Sequence, residues 1–357
     1  MKRVLLTGAF GNVGANTLAQ LADEGHEIIA FDVKNPRNEK LSAQLAQKYS
    51  FTTVWGDLRA ADSVSAAVEQ ARPHAILHVG AVIAPTAYVI PEIAYDVNVN
   101  GTRHLLDAAE KSAEAPHFIF TSSYSVHGPR NVHRDPEPLT GDTPVNPGDN
   151  YGRHKVAGEE MVQESSLPWT IIRLPAVMAT AAGWGQSDEF LKFAFLLPLA
   201  RRQHVLDSRD AALALTNGID NRRAVGRLFN VGGPESDCRV TGDQFIDMIN
   251  DARGTAIPAS AFRVADPDVD DSWYYEDWID TRESQEILQY QRYTFADYLA
   301  LVKKQAGFSR YALKMIFPLI KSRILKDSPY YGKPAAVSSE SVWELVCKTF
   351  GLDPDRD

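Results

Sequence analysis

The segment Thr7-Gly8-Ala9-Phe10-Gly11-Asn12-Val13-Gly14 joins the apolar run Arg3–Leu6 to a segment with helical periodicity, Asn12–Gly25. Its three glycines have separate uses: one makes a tight turn, one lets the backbone approach a diphosphate, and one lets a helix pack closely on the strand. The N–H groups at the start of a helix also favour negative charge. The segment therefore predicts the strand, turn and helix that open a dinucleotide-binding fold.

Outward from this segment, short β-rich runs alternate with helical patterns. The predicted elements are Glu27–Phe31, Leu41–Tyr49, Thr52–Val54, Asp62–Ala71, Ala75–Val79, Ala94–Ser112 and His117–Phe120, with later strands at Trp169–Arg173 and Leu228–Val231. Such alternation is typical of a parallel sheet covered by helices on both faces. We therefore expect an α/β fold, a Rossmann-type doubly wound parallel sheet of about seven strands.

Asp32 ends the second predicted strand, 18 residues after Gly14. An acidic side chain at this place can accept both ribose hydroxyls of NAD and repels the extra phosphate of NADP. The sequence therefore predicts NAD as the cofactor. The alternative is that Asp32 only caps the turn that follows it, and the nearby basic residues Lys34 and Arg37 keep that alternative open.

Tyr151 and Lys155 stand four residues apart, on one face of a predicted helix that follows a Pro- and Gly-containing turn. A nearby cation favours phenolate, so Lys155 is expected to lower the pKa of Tyr151 and let it exchange a proton with a substrate oxygen. Ser123, at the end of the fifth strand, could hold the same oxygen. Each pattern alone is common in surface or capping positions. Their order after Thr7–Gly14 is what indicates a catalytic site.

Taken together, these motifs resemble those of the extended short-chain dehydrogenases/reductases, the NAD-dependent epimerases/dehydratases, over about residues 1–304. The matching segments are Thr7–Gly14, Asp57-Leu58, His78–Ala81, Asn98–Thr102, Ser122–Gly128, Tyr151–Lys155, Arg173–Pro175, Ser208–Ala212 and Phe229–Gly233. The resemblance implies a catalytic set of Ser123, Tyr151 and Lys155. It also implies a cofactor-binding set of Gly8, Phe10, Gly11, Asn12, Val13, Gly14, Asp32, Asp57, Leu58, Val79, Gly80, Ala81, Asn98, Tyr151, Lys155, Leu174 and Pro175.

Departures from the family pattern bear on the net reaction. Sugar 4,6-dehydratases of the family carry Asp-Glu where this chain has Tyr124-Ser125. The acid and base that remove water are therefore missing, and dehydration is the least favoured of the candidate reactions. Nucleotide-sugar epimerases usually carry an Asn and an Arg for the substrate diphosphate, where this chain has Ala176 and Gln203. Arg201 and Arg202 could replace that arginine after a small register shift.

We therefore expect an NAD-dependent oxidoreductase that transfers hydride at a secondary alcohol or ketone, with Tyr151 as the general acid/base. The alternatives are a nucleotide-sugar epimerase and, less favoured because the catalytic set is intact, a catalytically silent NAD-binding scaffold. The expected small-molecule substrate contacts are Thr86, Tyr88, Ser123, Tyr124, His127 and Trp184. Ordinary packing is the competing interpretation for the aromatic members of this set.

Composition narrows the remaining choices. The chain has 37 basic and 46 acidic residues and a net charge of −9, which argues against a nucleic-acid partner. Its only cysteines, Cys238 and Cys347, are too few and too far apart for a disulfide framework or a metal cluster. They are typical of a reducing compartment, so we expect a cytoplasmic protein.

The chain is expected to divide into three regions. Residues 1–175 with 205–234 form the NAD-binding domain, 176–204 with 235–304 the substrate-binding region, and 305–357 a C-terminal tail. Within the tail, 309–326 combines basic and apolar residues without any acid. This segment either packs on the protein, the favoured interpretation because Pro318 would kink an interfacial helix, or contacts an anionic membrane surface peripherally. The family resemblance also implies a homodimer formed through the helices at 98–112 and 151–164.

Overall fold

The computed structural model describes residues 1–181 and 187–354. Its strands are β1 (Arg3–Thr7), β2 (Glu27–Asp32), β3 (Thr52–Trp55), β4 (Ala75–His78), β5 (His117–Ser123), β6 (Trp169–Leu174), β7 (Ala176–Met178), β8 (Arg202–Asp207), β9 (Arg227–Asn230), β10 (Arg239–Thr241), β11 (Val264–Ala265) and β12 (Val337–Ser338). Seven of them form one parallel sheet in the order β3-β2-β1-β4-β5-β6-β9. The predicted Rossmann-type fold and its seven strands are confirmed.

Helices cover both faces of this sheet, and others belong to the smaller region described below. The helices are α1 (Asn12–Asp23), α2 (Pro36–Leu45), α3 (Ala61–Ala71), α4 (Thr86–Val89), α5 (Pro91–Tyr95), α6 (Gly101–Glu110), α7 (Asn150–Glu164), α8 (Asp188–Phe195), α9 (Ser208–Thr216), α10 (Glu235–Cys238), α11 (Gly242–Arg253), α12 (Arg282–Leu288), α13 (Phe295–Ala306), α14 (Ser309–Ile324) and α15 (Val342–Phe350). Among the described residues, no helix combines the length and the apolar character needed to cross a membrane.

The alternating direction of side chains along β1 explains the two layers. Leu6 is buried in a core cluster with helices α1 and α9, whereas its neighbour Leu5 is buried in a second cluster with helices α3 and α6. Successive residues of a strand point to opposite faces, so a strand that is apolar throughout is covered on both sides. The strand order turns back between β1 and β4, and this turning point opens a crevice at the carboxyl ends of the strands.

The helix predicted over 94–112 is divided. A π-helical turn at Asp96–Asn100 separates α5 from α6. Gly101 follows it, and a Cβ there would lie 2.8 Å from the Cβ of Leu58, so the backbone of α6 approaches the β3–α3 loop closely. Single π turns of this kind are frequent at functional sites, and this one carries Asn98.

A smaller region is built from the later part of the chain. Strands β10, β8 and β7 form one short sheet, and β11 pairs with β12. β8 extends to Asp207, so residues 205–207 belong to this short sheet rather than to the seven-stranded one. The end of the chain folds back on the molecule, because Val342 and Val346 of α15 are buried in one cluster with Tyr88 and Tyr151.

Candidate active site

The glycine-rich turn after β1 is shaped by close backbone approaches. Gly8 has a φ of +64°, and a Cβ there would lie 2.6 Å from the Cα of Gly80 in the loop after β4. A Cβ on Gly14 would collide with the carbonyl oxygen of Gly8. Only glycine fits these two positions, and the free N–H groups at the start of α1 are left at the edge of the sheet. This geometry is a cradle for a diphosphate.

Asp32 closes the other side of this cradle. Its carboxylate accepts hydrogen bonds from the backbone N–H groups of Phe10 and Val33, both at 2.8 Å. Burial raises the pKa of Asp32, and these backbone hydrogen bonds act against that rise. Phe10 itself is fully buried against Trp55, with ring centroids 5.4 Å apart, so it offers its backbone and not its ring to a ligand.

The remaining cofactor candidates fall into two kinds. Asp57 lies at the surface in an ion pair with Arg59 at 2.6 Å, which lowers the pKa of its carboxyl. Leu58 is buried beneath Gly80, whose added Cβ would lie 3.0 Å from the leucine Cδ1. The others follow or end the strands β1, β4 and β6: Val13 lies in the first turn of α1, Val79 and Ala81 lie after β4, and Leu174 and Pro175 lie at the end of β6.

Two asparagines complete the cofactor side. Asn98 accepts a hydrogen bond from the N–H of Val82 and donates one to its carbonyl, each at 2.8 Å, which fixes the loop after β4. Asn12 donates to the carbonyl of Val177 at 3.3 Å, whereas its buried Oδ1 has no hydrogen-bond partner among the described residues. An unpartnered buried acceptor beside a glycine cradle is typical of a ligand site. The residues present therefore fit NAD.

The predicted catalytic residues meet at one place. Ser123 ends β5, and Tyr151 and Lys155 lie one turn apart in α7. All three are buried, and the hydroxyl of Ser123 donates to the hydroxyl of Ser125 at 3.0 Å. The ammonium of Lys155 donates to the carbonyl of Thr121 at 2.8 Å and lies 5.9 Å from the centre of the Tyr151 ring.

The expected effect of Lys155 on Tyr151 is wrong. Burial raises the pKa of the Tyr151 phenol above its ordinary value, and Asp149 raises it further, whereas the neighbouring hydroxyl of Ser123 lowers it. Burial also lowers the pKa of Lys155, to about 8. The dominant effect in both cases is desolvation, which disfavours whichever form is charged.

The first turn of α7 is held by Asp149, a residue that sequence reasoning missed. It is buried at the N-cap and accepts a hydrogen bond from the N–H of Gly152 at 2.6 Å. Its second oxygen accepts a hydrogen bond from the hydroxyl of Tyr88. An aspartate directly before a predicted helix is a capping signal and could have identified this residue.

One of the expected substrate residues, Tyr88, has its contacts inside the protein. Tyr88 is fully buried, packs against Phe193 and donates its hydroxyl to Asp149. These contacts favour packing over the predicted role of Tyr88 as a substrate contact. Thr86 is exposed at the start of α4, and Trp184 lies outside the described residues.

Tyr124 and His127 are likewise committed to protein partners. The hydroxyl of Tyr124 donates to Glu276 at 2.8 Å. The ring of His127 lies between the carbonyl of Pro144, 3.1 Å from Nδ1, and the guanidinium of Arg173, 3.2 Å from Nε2. Burial lowers the pKa of His127 to about 4, so the ring is neutral near pH 7. Both side chains therefore have polar partners within the protein, which favours a structural role over substrate contact.

Comparison with protein families decides the relationship. The model of the NAD dependent epimerase/dehydratase family matches residues 4–232, more than half of the chain. The chain belongs to the NAD-dependent epimerase/dehydratase family. NAD is the cofactor of this family, as the glycine cradle and Asp32 indicated.

Curated relatives of this epimerase/dehydratase chain divide between two activities. It is 33% identical to a 3-beta-hydroxysteroid dehydrogenase of Mycolicibacterium neoaurum over 52% of this chain and 49% of that protein. It is also 33% identical to a 3 beta-hydroxysteroid dehydrogenase/Delta 5-->4-isomerase of Mycobacterium tuberculosis, over 74% of this chain and 68% of the relative. A UDP-glucose 4-epimerase of Lactobacillus helveticus is 25% identical over 55% and 58%. The chain thus spans only about half the length of the Mycolicibacterium neoaurum dehydrogenase and of the Lactobacillus helveticus epimerase.

Solved structures support the fold of the family member. A short-chain dehydrogenase/reductase superfamily protein from Agrobacterium tumefaciens, crystallised with NAD, is similar with a TM-score of 0.65 and 22% identity. The match covers 90% of this chain and 99% of that one. At this identity the likeness establishes the architecture alone.

Arg201 and Arg202, which were expected to be able to replace the diphosphate-binding arginine of the epimerases, both contact carboxylates of this protein. Arg201 is buried, and its Nε donates to Glu276 at 2.6 Å. Arg202 donates to Asp277 at 3.2 Å and lies 5.0 Å from the ring centre of Trp278. The substitution of these residues for the missing family arginine is therefore wrong, since each guanidinium already has a carboxylate partner.

Proposed function

We propose that this protein is an NAD-dependent dehydrogenase/reductase that acts on a secondary alcohol or ketone. The observation that carries the proposal is the convergence of the buried side chains of Ser123, Tyr151 and Lys155 at the carboxyl edge of the sheet that also carries the glycine cradle. The proposed cofactor-binding residues are Gly8, Phe10, Gly11, Asn12, Val13, Gly14, Asp32, Asp57, Leu58, Val79, Gly80, Ala81, Asn98, Tyr151, Lys155, Leu174 and Pro175. When bound, NAD supplies the hydride acceptor or donor.

The three side chains divide the remaining work. Tyr151 keeps its proton near neutral pH because burial raises its pKa, so its phenol can protonate the developing alkoxide when a ketone is reduced. In the opposite direction the same oxygen accepts the alcohol proton. Ser123 holds the substrate oxygen beside that phenol. Lys155, anchored on the carbonyl of Thr121, places its ammonium one helical turn from Tyr151.

An apolar substrate suits this site better than a nucleotide sugar. The side chains around Tyr151 are mainly aromatic and apolar, among them Phe193, Tyr274 and Tyr275. Arg201 and Arg202 are neutralised by Glu276 and Asp277, which leaves neither for a diphosphate. With the relatives that are 33% identical, we propose a hydroxysteroid or a similarly apolar secondary alcohol. Identity to a UDP-glucose 4-epimerase keeps epimerisation as the second candidate.

Free NADH tests this proposal directly. Purified protein is incubated with NAD and either 3β-hydroxysteroids, smaller secondary alcohols or UDP-glucose. A dehydrogenase accumulates NADH with an alcohol, an epimerase converts UDP-glucose without net NADH, and a silent scaffold turns over none of them. Tyr151→Phe should lower kcat by about 10² to 10⁴-fold, whereas Tyr49→Phe, on the loop after α2, should keep the full rate. Equal rates for wild type and Tyr151→Phe would contradict the mechanism.

The wider organisation is also proposed. Residues 1–175 with 205–234 would bind NAD, 176–204 with 235–304 would bind substrate, and 305–357 would form a C-terminal extension. A homodimer through α6 and α7 and a cytoplasmic location are supported by the family resemblance and by two isolated cysteines, both buried. The net charge of −9 argues against nucleic acid as a partner.

A further inference from the structure

Helix α14 (Ser309–Ile324) carries a row of large apolar side chains on its outer side. Phe308, Met315 and Leu319 are 92%, 76% and 81% exposed. Tyr311 and Ile316 flank this row and are about half exposed. Residues three or four positions apart lie on the same side of a helix, so Phe308, Tyr311, Met315 and Leu319 form one continuous strip. Isolated exposed apolar residues are ordinary, whereas a contiguous strip marks an interaction surface.

Packing on the protein accounts for the inner side of α14 and not for the strip. Phe317 is buried on the opposite side, and Leu325 is buried just after the helix. A Cβ on Gly254, at the end of α11, would collide with the carbonyl of Arg310, so α14 rests closely on the preceding helices. The helix runs from Ser309 to Ile324 without a break at Pro318. α14 is therefore a fixed platform that presents its apolar side outward.

The charge on this segment is opposite to that of the whole protein. Residues 309–326 contain five basic side chains and no acidic one, whereas the chain carries −9. Lys314 and Arg323 are exposed beside the strip, and Lys326 follows the helix. One neighbouring acid, Asp251, is paired with Lys303 at 2.8 Å. A positive border around an apolar strip is complementary to an anionic lipid surface.

We propose that α14 lies on the surface of anionic membranes, parallel to the bilayer, with Phe308, Met315 and Leu319 inserted among the headgroups. The basic residues beside the strip would contact lipid phosphates. Insertion of this kind is shallow and reversible, and it needs no membrane-spanning helix. A second copy of the chain that docked through the same helix would bring like positive charges together.

The position of α14 links this surface to the active site. Helix α8 bridges the two regions, because its Phe193 is buried in the cluster of Tyr151 and its Leu191 packs in the cluster of Ile324 and Leu325. A bilayer under α14 would bring an apolar substrate dissolved in lipid close to α8. This step rests on the proposed function, whereas the membrane contact itself does not.

Vesicle binding tests the proposal on the full chain without any substrate. Wild type should co-sediment with phosphatidylcholine vesicles that contain phosphatidylserine and bind at least about tenfold less to phosphatidylcholine alone, since each basic residue near the surface changes the partition about fivefold. Binding should also fall as salt increases. Met315→Asp with Leu319→Asp should lose at least about tenfold of the binding. The matched control, Val145→Asp with Val225→Asp, changes two exposed valines elsewhere and should bind like wild type.

The outcomes separate the alternatives. Equal amounts of wild type in the supernatant with and without anionic vesicles would overturn the proposal. A second copy of the chain would be the occupant instead if two results were found together. The wild type would not bind vesicles, and the Met315→Asp/Leu319→Asp variant would lose a self-association that sedimentation velocity detects in the wild type. Should the aspartate variant unfold, Lys314→Glu with Arg323→Glu should still show a tenfold or greater loss of binding to anionic vesicles. NADH production measured in detergent-free buffer with a water-soluble alcohol reports the proposed function separately.

Discussion

The cofactor side and the substrate side of this protein place their polar groups by different means. Around β1 and β4, close backbone approaches such as Gly8 to Gly80 leave N–H groups free for a ligand. On the substrate side, buried ion pairs such as Arg201 with Glu276 satisfy polar side chains within the protein. The cofactor side is therefore built to hold a charged ligand, and the substrate side to present apolar walls. The two regions should fail differently when mutated.

The largest expected effect is on the substrate side, where a buried charge would lose its partner. Arg201→Met leaves Glu276 buried without its 2.6 Å ion pair, and we expect a loss of about 3–5 kcal/mol in the free energy of unfolding. Urea unfolding measures it. Arg223→Met is the control, because its ion pair with Glu286 is exposed and should contribute less than about 1 kcal/mol. Equal losses in the two variants would show that the buried ion pair contributes no more to stability than the exposed one.

A substitution in the glycine-rich turn of the cofactor side should affect the binding of NAD more than the stability of the fold. Gly14→Ala places a Cβ against the carbonyl of Gly8 and forces the turn to shift, at a cost of about 3 kcal/mol. Part of this cost falls on folding and part on NAD binding, so the affinity for NAD should fall by up to about a hundredfold. Calorimetry measures that affinity. Gly141→Ala, where an added Cβ meets nothing within 4 Å, should bind NAD normally. Unchanged affinity in Gly14→Ala would remove the turn from the cofactor site.

The smallest expected effect lies where the two regions meet, at Lys155. Its pKa is lowered by burial to about 8 from the ordinary 10.5, so between these values the unfolded chain binds more protons and Lys155 makes stability rise with pH. Lys155→Met lacks this contribution. The stability of wild type relative to Lys155→Met should therefore increase by about 2 kcal/mol between pH 7 and pH 10. Urea unfolding at several pH values checks this slope.

The control for that prediction is Lys304→Met, which changes an exposed lysine. It should keep the wild-type slope of stability against pH. A Lys155→Met protein whose slope equals that of wild type would show that the ammonium is not desolvated in the folded protein.

The sequence predicted the parts of this protein that depend on local chemistry. A turn that needs positive φ or close backbone contact accepts only glycine, so Gly8 and Gly14 identified the cradle. The period of the apolar residues identified seven strands, and the motif order from Thr7 to Lys155 identified the family. Each of these signals lies within a few neighbouring residues, where steric and hydrogen-bonding rules act directly.

Only the tertiary structure decided what the polar side chains on the substrate side do. Tyr124 and Glu276 are 152 residues apart in the chain and meet at 2.8 Å, and Tyr88 reaches Asp149 across 61 residues. The raised pKa of Tyr151 and the outward face of α14 likewise depend on what surrounds them. Burial is a property of the whole packed chain, so residue type and spacing could name these side chains but could not say which would meet a ligand, a lipid or another part of the protein.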